Sequence, residues 1–292
     1  MNRNKAETKR KTRINALNNE FNVIVESGPL TVYDITKNDP ESRKYSAHHS
    51  YVKELESKNR ICIHKTETAQ KGKPKYFYGP TKYGILIYLS DNLSTKNKTS
   101  EYLSKSAIQN ILKVIERWSD MFPSVFKNWE SLIQDPGLFS ANEEQEIQSI
   151  HQAILLKKNQ AIIPQTFGKI WMYYCFLVLR NTANRAIQLY EIERYMLPNV
   201  FEPGTIGFED QLSDTDFTDL FFTVFFDMFV LLKNASVQGD NVGNYMGNSY
   251  IYLMEKEAWK GLFVNWLSTK KAESEELKKW INNISDEYHL SI

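Results

Sequence analysis

In the first 41 residues, apolar and polar positions recur with the period of an α-helix over two successive segments. Residues 10–27 place an apolar side chain at nearly every third or fourth position, and these side chains are Ile14, Leu17, Phe21, Ile24 and Val25. This spacing predicts an amphipathic helix that ends at the Gly28-Pro29 pair. A second, short helix is expected to begin near Leu30 or Thr31, because Thr31 is a suitable N-terminal cap.

A third amphipathic segment, residues 42–58, follows the turn signal Asn38-Asp39-Pro40. Its inward-facing positions are Ala47, Tyr51, Val52 and Leu55. Its outward-facing positions are Arg43, Lys44, Ser46, His49, Ser50 and Lys53. The stretch 42–53 contains three basic residues and no acidic one, whereas an ordinary solvated helix face usually mixes both signs. We therefore interpret this segment, with Ser42 as its cap, as a helix that presents donors and small polar groups outward.

Two β-prone runs follow, and each alternates with a period of two residues. They span residues 60–65 and 75–78, and a basic Gly/Pro turn at residues 69–74 connects them. The lysines of this region are Lys65, Lys71, Lys73 and Lys75, and Glu67 is its only acid. The pattern predicts a β-hairpin with a positively charged tip. The alternative is a plain hairpin whose lysines prevent pairing with another strand.

Charge is distributed unevenly along the chain. Residues 1–82 contain 17 Lys and Arg against 9 Asp and Glu, whereas residues 83–292 contain 19 against 26. The first 13 residues form a basic arm with six basic side chains and one acidic side chain. A basic first third joined to an acidic remainder indicates that the first third contacts a polyanion. Chance clustering of charges on solvated faces is the alternative.

The order helix, turn, helix, hairpin, helix resembles the winged helix-turn-helix regulators. The segment 78–89, Tyr-Gly-Pro-Thr-Lys-Tyr-Gly-Ile-Leu-Ile-Tyr-Leu, is similar to the L-T-x-x-G-x-x-L segment that follows the wing in many archaeal and bacterial members. In it, Thr81 takes the place of the helix cap and Gly84 that of the residue allowing close packing. The resemblance covers residues 10–90. It implies that the third helix is the recognition helix and that residues 65–75 form the wing tip.

These elements predict a set of DNA-binding side chains. An α-helix fits the major groove of duplex DNA, so the outward face of helix 42–58 is expected to contact base edges. A basic hairpin beside it is expected to contact the flanking minor groove or phosphates. The predicted DNA-binding residues are Arg43, Lys44, Tyr45, Ser46, His49, Ser50, Lys53, Lys65, Lys71, Lys73 and Lys75.

The remainder of the chain is expected to be helical. The polar stretch 91–98, which includes most of the run 94–99, is typical of a linker, and it separates a domain at residues 1–92 from one at residues 99–292. Helical spacing recurs through the second domain, whose most apolar helix is expected at residues 214–233. We therefore predict a mainly α protein: an N-terminal winged helix-turn-helix, with three helices and a β-hairpin wing, followed by an all-helical C-terminal domain.

No pattern in the chain indicates a catalytic or metal site. The candidate ligands lack the paired spacing of a structural zinc site, and they are His48, His49, Cys62 and His64. P-loop, dinucleotide-binding and nucleophile-elbow motifs are absent from the sequence. Two cysteines in 292 residues fit a reducing cytoplasm, and the apolar runs are too short to span a membrane. We expect a soluble, cytoplasmic protein that is not an enzyme and has no cofactor.

The expected function is sequence-specific binding of double-stranded DNA in transcription control. A homodimer is expected, because two symmetric copies double the number of base pairs that one module contacts. The acidic C-terminal domain is expected to dimerise or to bind a small-molecule or protein effector. Three alternatives stay open: a DNA-binding protein of replication, partition or a mobile element; a winged helix that binds only protein; and an enzyme built on the helical domain.

Overall fold

The computed structural model describes residues 2–68, 73–93, 105–130, 164–196, 212–237, 257–273, 275, 278–279 and 281–283. These residues form a mainly helical protein with one two-stranded antiparallel sheet. The chain divides into two compact units. The first comprises residues 1–94, 106–121 and 183–213, and the second comprises residues 95–105, 122–182 and 214–292. None of the described helices is both long and apolar enough to cross a membrane.

The first helix, α1 (Asn2–Ser27), starts earlier than the sequence predicts and ends at the predicted position. Its inner face buries four of the five residues of the expected apolar stripe and one alanine, and these five buried side chains are Ala16, Leu17, Phe21, Ile24 and Val25. Ile14, predicted to belong to the same stripe, is 46% exposed. The Gly28 N–H donates to the Ile24 carbonyl at 2.8 Å, which completes the last turn of the helix.

The second helix, α2 (Val32–Lys37), is held at its start by a capping box. Thr31 Oγ1 accepts a hydrogen bond from the Asp34 N–H at 3.1 Å, and Asp34 Oδ2 accepts one from the Thr31 N–H at 3.1 Å. The predicted cap at Thr31 is therefore confirmed. Leu30 lies outside the helix, because its backbone pairs with Tyr78 in an isolated antiparallel bridge.

The third helix, α3 (Tyr45–Ser57), begins at Tyr45 rather than at Ser42. Ser42 adopts a φ of 50°, in the left-handed region, so the right-handed helix cannot extend back through it. Lys44 occupies the N-cap position without a capping hydrogen bond from its side chain. The inner face of α3 buries His48, Val52 and Leu55, whereas Ala47 and Tyr51 are half-buried.

The predicted hairpin is formed by β1 (Ile61–Glu67) and β2 (Lys75–Pro80). Its antiparallel register shifts between Ile63 and Lys65, so His64 is an additional residue in β1 and forms a bulge. Residues 69–72 at the predicted tip lie outside the described part of the chain.

The fourth helix, α4 (Lys82–Asn92), begins at the cap that the sequence predicts. Thr81 Oγ1 accepts a hydrogen bond from the Gly84 N–H at 2.9 Å and donates one to the Asn59 carbonyl at 2.6 Å. A Cβ added to Gly84 would lie 2.0 Å from the Arg60 carbonyl oxygen. The close packing expected at Gly84 is therefore confirmed.

The later described helices are α5 (Lys105–Arg117), α6 (Pro123–Phe126), α7 (Pro164–Met196), α8 (Asp214–Val237) and α9 (Glu257–Lys271). The chain just after α5 is tied to the end of α1, because Trp118 Nε1 donates to the Val25 carbonyl at 2.7 Å. Residues 183–196 of α7 also belong to the first unit. There, Tyr190 packs on Tyr83 with ring centroids 4.3 Å apart. The linker predicted at residues 91–98 starts too early, because residues 91 and 92 belong to α4, and residues 94–98 lie outside the described part of the chain.

The second unit has a core rich in aromatic side chains. Phe122 stacks on Phe217 of α8 with ring centroids 3.9 Å apart. Asp219, also on α8, accepts a hydrogen bond from Trp266 Nε1 at 2.8 Å and forms an ion pair with Lys270. These two contacts connect α8 to α9 at a polar position beside the aromatic core.

Candidate nucleic-acid interface

The outward face of α3 and the residue before it present six of the predicted DNA-binding side chains to solvent. Exposed are Lys44, Tyr45, Ser46, His49, Ser50 and Lys53. Tyr45 is 52% exposed, and its ring lies 6.3 Å from that of His49, measured between centroids. The face therefore combines two lysines, two hydroxyl groups of serine and a pair of aromatic rings that carry polar atoms.

Arg43 differs from the other predicted residues, because its side chain is engaged within the protein. Its Nη1 lies 3.1 Å from Asp39 Oδ1, and its guanidinium also forms an ion pair with Glu41. The Arg43 side chain is 19% exposed. The sequence suggested a guanidinium directed at a base, but the tertiary structure directs this group at two carboxylates of the turn before α3.

The lysines of the hairpin also differ from one another. Lys65 Nζ lies 2.6 Å from Glu67 Oε1 and 5.3 Å from the centroid of the Phe77 ring. Lys73 and Lys75 are exposed, and Lys71 lies outside the described residues. The ion pair leaves Lys65 with less unbalanced positive charge than the sequence alone suggests.

Further ion pairs lie at the C-terminal half of α3. Glu54 Oε1 accepts from Lys58 Nζ at 2.7 Å, and Glu54 Oε2 accepts from Arg13 at 2.9 Å. These hydrogen bonds, first that of Lys58 and then that of Arg13, hold the pKa of Glu54 below its ordinary value. Among the described residues, Lys44, Lys53 and Lys73 form no ion pair.

Behind the exposed face, α3 carries His48, a buried side chain whose polar partners were not predicted from the sequence. His48 Nδ1 lies 2.7 Å from Glu20 Oε2 of α1, and His48 Nε2 lies 3.4 Å from Asp39 Oδ2. Burial raises the pKa of Glu20, although the hydrogen bond and charge of His48 act in the opposite direction. A signal was present in the sequence: Glu20 follows Leu17 by three residues and precedes Ile24 by four, so it lies on the apolar face of α1.

The base of the hairpin is supported by a histidine and a tryptophan. The His64 and Trp118 rings lie 5.1 Å apart, and both approach Gly79, where an added Cβ would lie 2.6 Å from His64 Cδ2. His64 Nε2 lies 2.7 Å from the Pro80 carbonyl oxygen. The bulge at His64 thus packs against a residue that comes from far along the chain.

The candidate zinc ligands are dispersed among these features. His48 lies between buried carboxylates, His49 is exposed on α3, and His64 is at the base of the hairpin. No group of three or more His, Cys, Asp or Glu side chains in the described part of the chain has the arrangement of a metal site.

Comparison of the chain with models of known protein families, with curated proteins and with solved structures found no significant match.

Proposed function

We propose that this protein binds double-stranded DNA as a winged helix-turn-helix, with α3 in the major groove and the β1–β2 hairpin as the wing. The observation that carries the proposal is the exposed face from Lys44 to Lys53, which contains no acidic residue. The groove accommodates a helix together with its side chains, and base edges are recognised by donors and small polar groups. The antiparallel bridge from Leu30 to Tyr78 also supports the proposal, because it connects the hairpin to the start of the helix pair.

In this proposal, the side chains divide by chemistry. Lys44, Tyr45, Ser46 and His49 are nearest the N-terminus of α3, where they contact base edges. Ser50 and Lys53 follow on the same exposed face and contact base edges or phosphates. The hairpin lysines bind phosphates or the minor groove, and they are Lys65, Lys71, Lys73 and Lys75. Arg43 contributes to base recognition only if its guanidinium leaves Asp39 and Glu41.

The uneven charge supports a regulatory arrangement. The first 82 residues attract the DNA backbone, whereas the acidic remainder is repelled by it. The remainder of the chain is therefore available for dimerisation, for binding an effector or for recruiting a partner. A homodimer would place two copies of α3 on symmetric half-sites, which is how short recognition elements reach useful specificity. We propose transcription control as the role.

The test is selection of bound duplexes from a random pool at physiological salt concentration, followed by affinity measurement on the selected sequence. We expect one enriched motif. The double variant Lys44→Ala/Lys53→Ala should lose affinity, whereas Lys113→Ala, an exposed lysine on α5, should bind as the wild type does. Equal loss with Lys113→Ala would indicate a purely electrostatic contact. Absence of duplex binding at low salt would contradict the proposal.

A protein partner in place of DNA is the second candidate. Tyr33, Tyr45 and Tyr76 are 67%, 52% and 42% exposed, and exposed tyrosines are common at protein interfaces. The salt dependence distinguishes the two partners. Binding to DNA weakens steeply as salt concentration rises, whereas a contact based on tyrosine side chains changes little.

A further inference from the structure

Three side chains from distant parts of the sequence form one buried chain of polar contacts behind the exposed face of α3. Glu20, His48 and Asp39 have side chains that are 2%, 1% and 5% exposed. His48 Nδ1 is hydrogen-bonded to Glu20 Oε2 at 2.7 Å, whereas His48 Nε2 lies 3.4 Å from Asp39 Oδ2 and forms no hydrogen bond among the described residues. The chain of contacts therefore connects α1 to α3 and to the turn that precedes α3.

Asp39 in turn determines the shape of that turn. Its Oδ2 accepts a hydrogen bond from the Arg43 N–H at 2.8 Å, and its Oδ1 accepts one from the Glu41 N–H at 3.2 Å. The Asp39 carbonyl accepts from the Ser42 N–H at 3.1 Å, and the Arg43 guanidinium closes on the same carboxylate. These bonds hold Ser42 in its left-handed conformation, and α3 begins directly afterwards at Tyr45.

We propose that Glu20, His48 and Asp39 are positioning residues for α3, and that a proton held by the Glu20–His48 pair keeps the turn at residues 39–44 closed. Loss of that proton loosens the turn and displaces Lys44, Tyr45 and Ser46. Arg43 belongs with these positioning residues and not with the side chains that contact DNA. The consequence for DNA rests on the function proposed above, whereas the consequence for the turn does not.

The proton count explains why the pair responds to pH. A neutral imidazole has one N–H, so it can donate to only one of the two carboxylates that flank His48. The second carboxylate then faces a lone pair in a buried site, unless Glu20 carries a proton of its own. Within the described residues, Glu20 Oε1 has no hydrogen-bond partner, so little else compensates a negative charge there. When the pair gives up the proton beyond that one N–H, the imidazole can donate to only one of Glu20 and Asp39, so either the contact of α3 with α1 or its contact with the turn is weakened.

Among the described residues, charged groups from α3 and from the turn before it act on Glu20, whereas several others on α1 and near α3 pair with one another. The groups that act on Glu20 are His48 from α3 and Arg43 and Asp39 from the turn. On α2, the Asp34 carboxylate is bonded to Thr31 and is also influenced by Lys37. Farther along, Glu54 of α3 pairs with Arg13 of α1 and with Lys58.

The sign of the effect follows from the direction of the pKa shifts. Burial raises the pKa of Glu20, so its contribution to stability is complete below the ordinary value of 4.5 and is lost as pH rises through the raised pKa. Burial also acts to raise the pKa of Asp39, but the N–H groups of Arg43 and Glu41 outweigh it and lower that pKa below 3.8. The contribution of Asp39 is lost only in acid. The turn should therefore loosen as pH rises.

Amide hydrogen exchange of the whole protein tests, without DNA, whether the proton keeps the turn closed. We measure exchange in peptides spanning residues 39–47 between pH 5 and pH 9, corrected for intrinsic rates, with the α4 peptide 82–92 as internal control. Opening of the turn should rise by up to tenfold per pH unit over the range in which only the closed state keeps the proton. The α4 peptide should show no such trend. A profile for residues 39–47 that is flat or parallel to that of α4 would overturn the proposal.

The double variant Glu20→Gln/His48→Gln removes the titratable pair and keeps two amides that can bond to each other. It should abolish the pH trend of the 39–47 peptide, and persistence of the trend would also overturn the proposal. The wild-type profile decides the question by itself if this variant does not fold.

Duplex affinity is then measured over the same pH range in a His49→Gln background, which removes the imidazole from the exposed face of α3. Affinity should fall with rising pH in parallel with the opening of the turn. If amide exchange behaves as expected while affinity is independent of pH, the connection to DNA is wrong, and the effect of the proton on the turn stands. If no duplex binds at any pH, the proposed function is wrong, and the exchange data alone decide whether the proton keeps the turn closed.

Discussion

Gly84 lies against the backbone of Arg60, at a distance that leaves no room for a side chain. A Cβ at this position would lie 2.0 Å from a carbonyl oxygen, and a backbone atom cannot move aside as a flexible side chain can. We expect Gly84→Ala to lower the free energy of unfolding by about 1–3 kcal/mol. Chemical denaturation measures this, with Gln109→Ala, exposed on α5, as a control that changes stability by less than about 0.5 kcal/mol. An unchanged midpoint for Gly84→Ala would contradict the packing described.

Arg43 is the residue for which sequence and structure lead to the most different expectations. If its guanidinium read a base, Arg43→Ala would relax specificity at one position of the DNA site. Because it is bonded to Asp39 and Glu41, we expect instead a loss of about 1–3 kcal/mol in unfolding free energy. Affinity for the selected site and for its single-base variants should fall by the same factor. Selective tolerance of one base change would restore Arg43 to the base-contacting set.

At the scale of elements, the six-residue helix α2 depends on its capping box. Thr31→Ala removes the hydroxyl that accepts from the Asp34 N–H, and we expect a loss of about 1 kcal/mol at pH 7. Thr31→Ser keeps the hydroxyl and should retain most of the stability. The side-chain and backbone hydrogen bonds of Thr31 lower the pKa of Asp34 below 3.8.

The capping contribution is therefore present above pH 3.8 and is lost as pH falls through the lowered pKa. Urea unfolding from pH 7 to pH 3 should show the difference between wild type and Thr31→Ala shrinking in acid. A difference that grows in acid would mean that Asp34 takes no part in the cap.

The hairpin and α1 are also joined at the scale of elements, through Trp118. Trp118→Phe keeps an aromatic ring beside His64 but removes the donor to the buried Val25 carbonyl. An unsatisfied buried carbonyl costs about 1–3 kcal/mol, so we expect the thermal midpoint to fall. Trp118→Leu should cost more, because the ring packed on Gly79 is lost as well. Equal stability of Trp118→Phe and wild type would show that another donor reaches Val25.

At the scale of the whole molecule, the distribution of charge controls association. The net charge is +1, so any attraction to DNA comes from local and not total charge. The double variant Lys73→Ala/Lys75→Ala should weaken binding to all duplexes alike and reduce the salt slope by about 0.9 for each phosphate that is no longer neutralised. Lys113→Ala, which removes one exposed lysine outside the hairpin, is the control. An unchanged slope would remove the hairpin from the DNA interface.

Local patterns predicted much of the first unit, because the forces involved act between neighbours in sequence. The hydroxyl groups of Thr31 and Thr81 cap their helices by accepting from the N–H group three residues ahead. The apolar stripe of α1 follows from helical spacing. The start of α3 was predicted less well. Its position depends on Asp39 binding two backbone N–H groups, an arrangement for which helix-start patterns offer no rule.

The residues of the candidate interface also divide into those whose environment follows from local spacing and those whose environment depends on the folded chain. The exposure of Lys44, His49 and Lys53 follows from their spacing on an amphipathic helix. The removal of Arg43 from solvent does not, because it depends on carboxylates that only the folded turn brings to it. The pairing of Glu20 with His48 joins positions 28 residues apart, and no local signal specifies which partner a buried carboxylate will meet.

By itself, the sequence determined where most helices and strands of the first unit lie and which of its faces carry positive charge. Both depend on periodicity and composition, which are properties of short segments. Only the tertiary structure decided which charges remain available to a partner, since an ion pair forms only where the folded chain brings two opposite charges into contact. It also placed His48, on the inner face of α3, between the carboxylates of Glu20 and Asp39. Burial there removes the water that would otherwise screen the charge of a carboxylate.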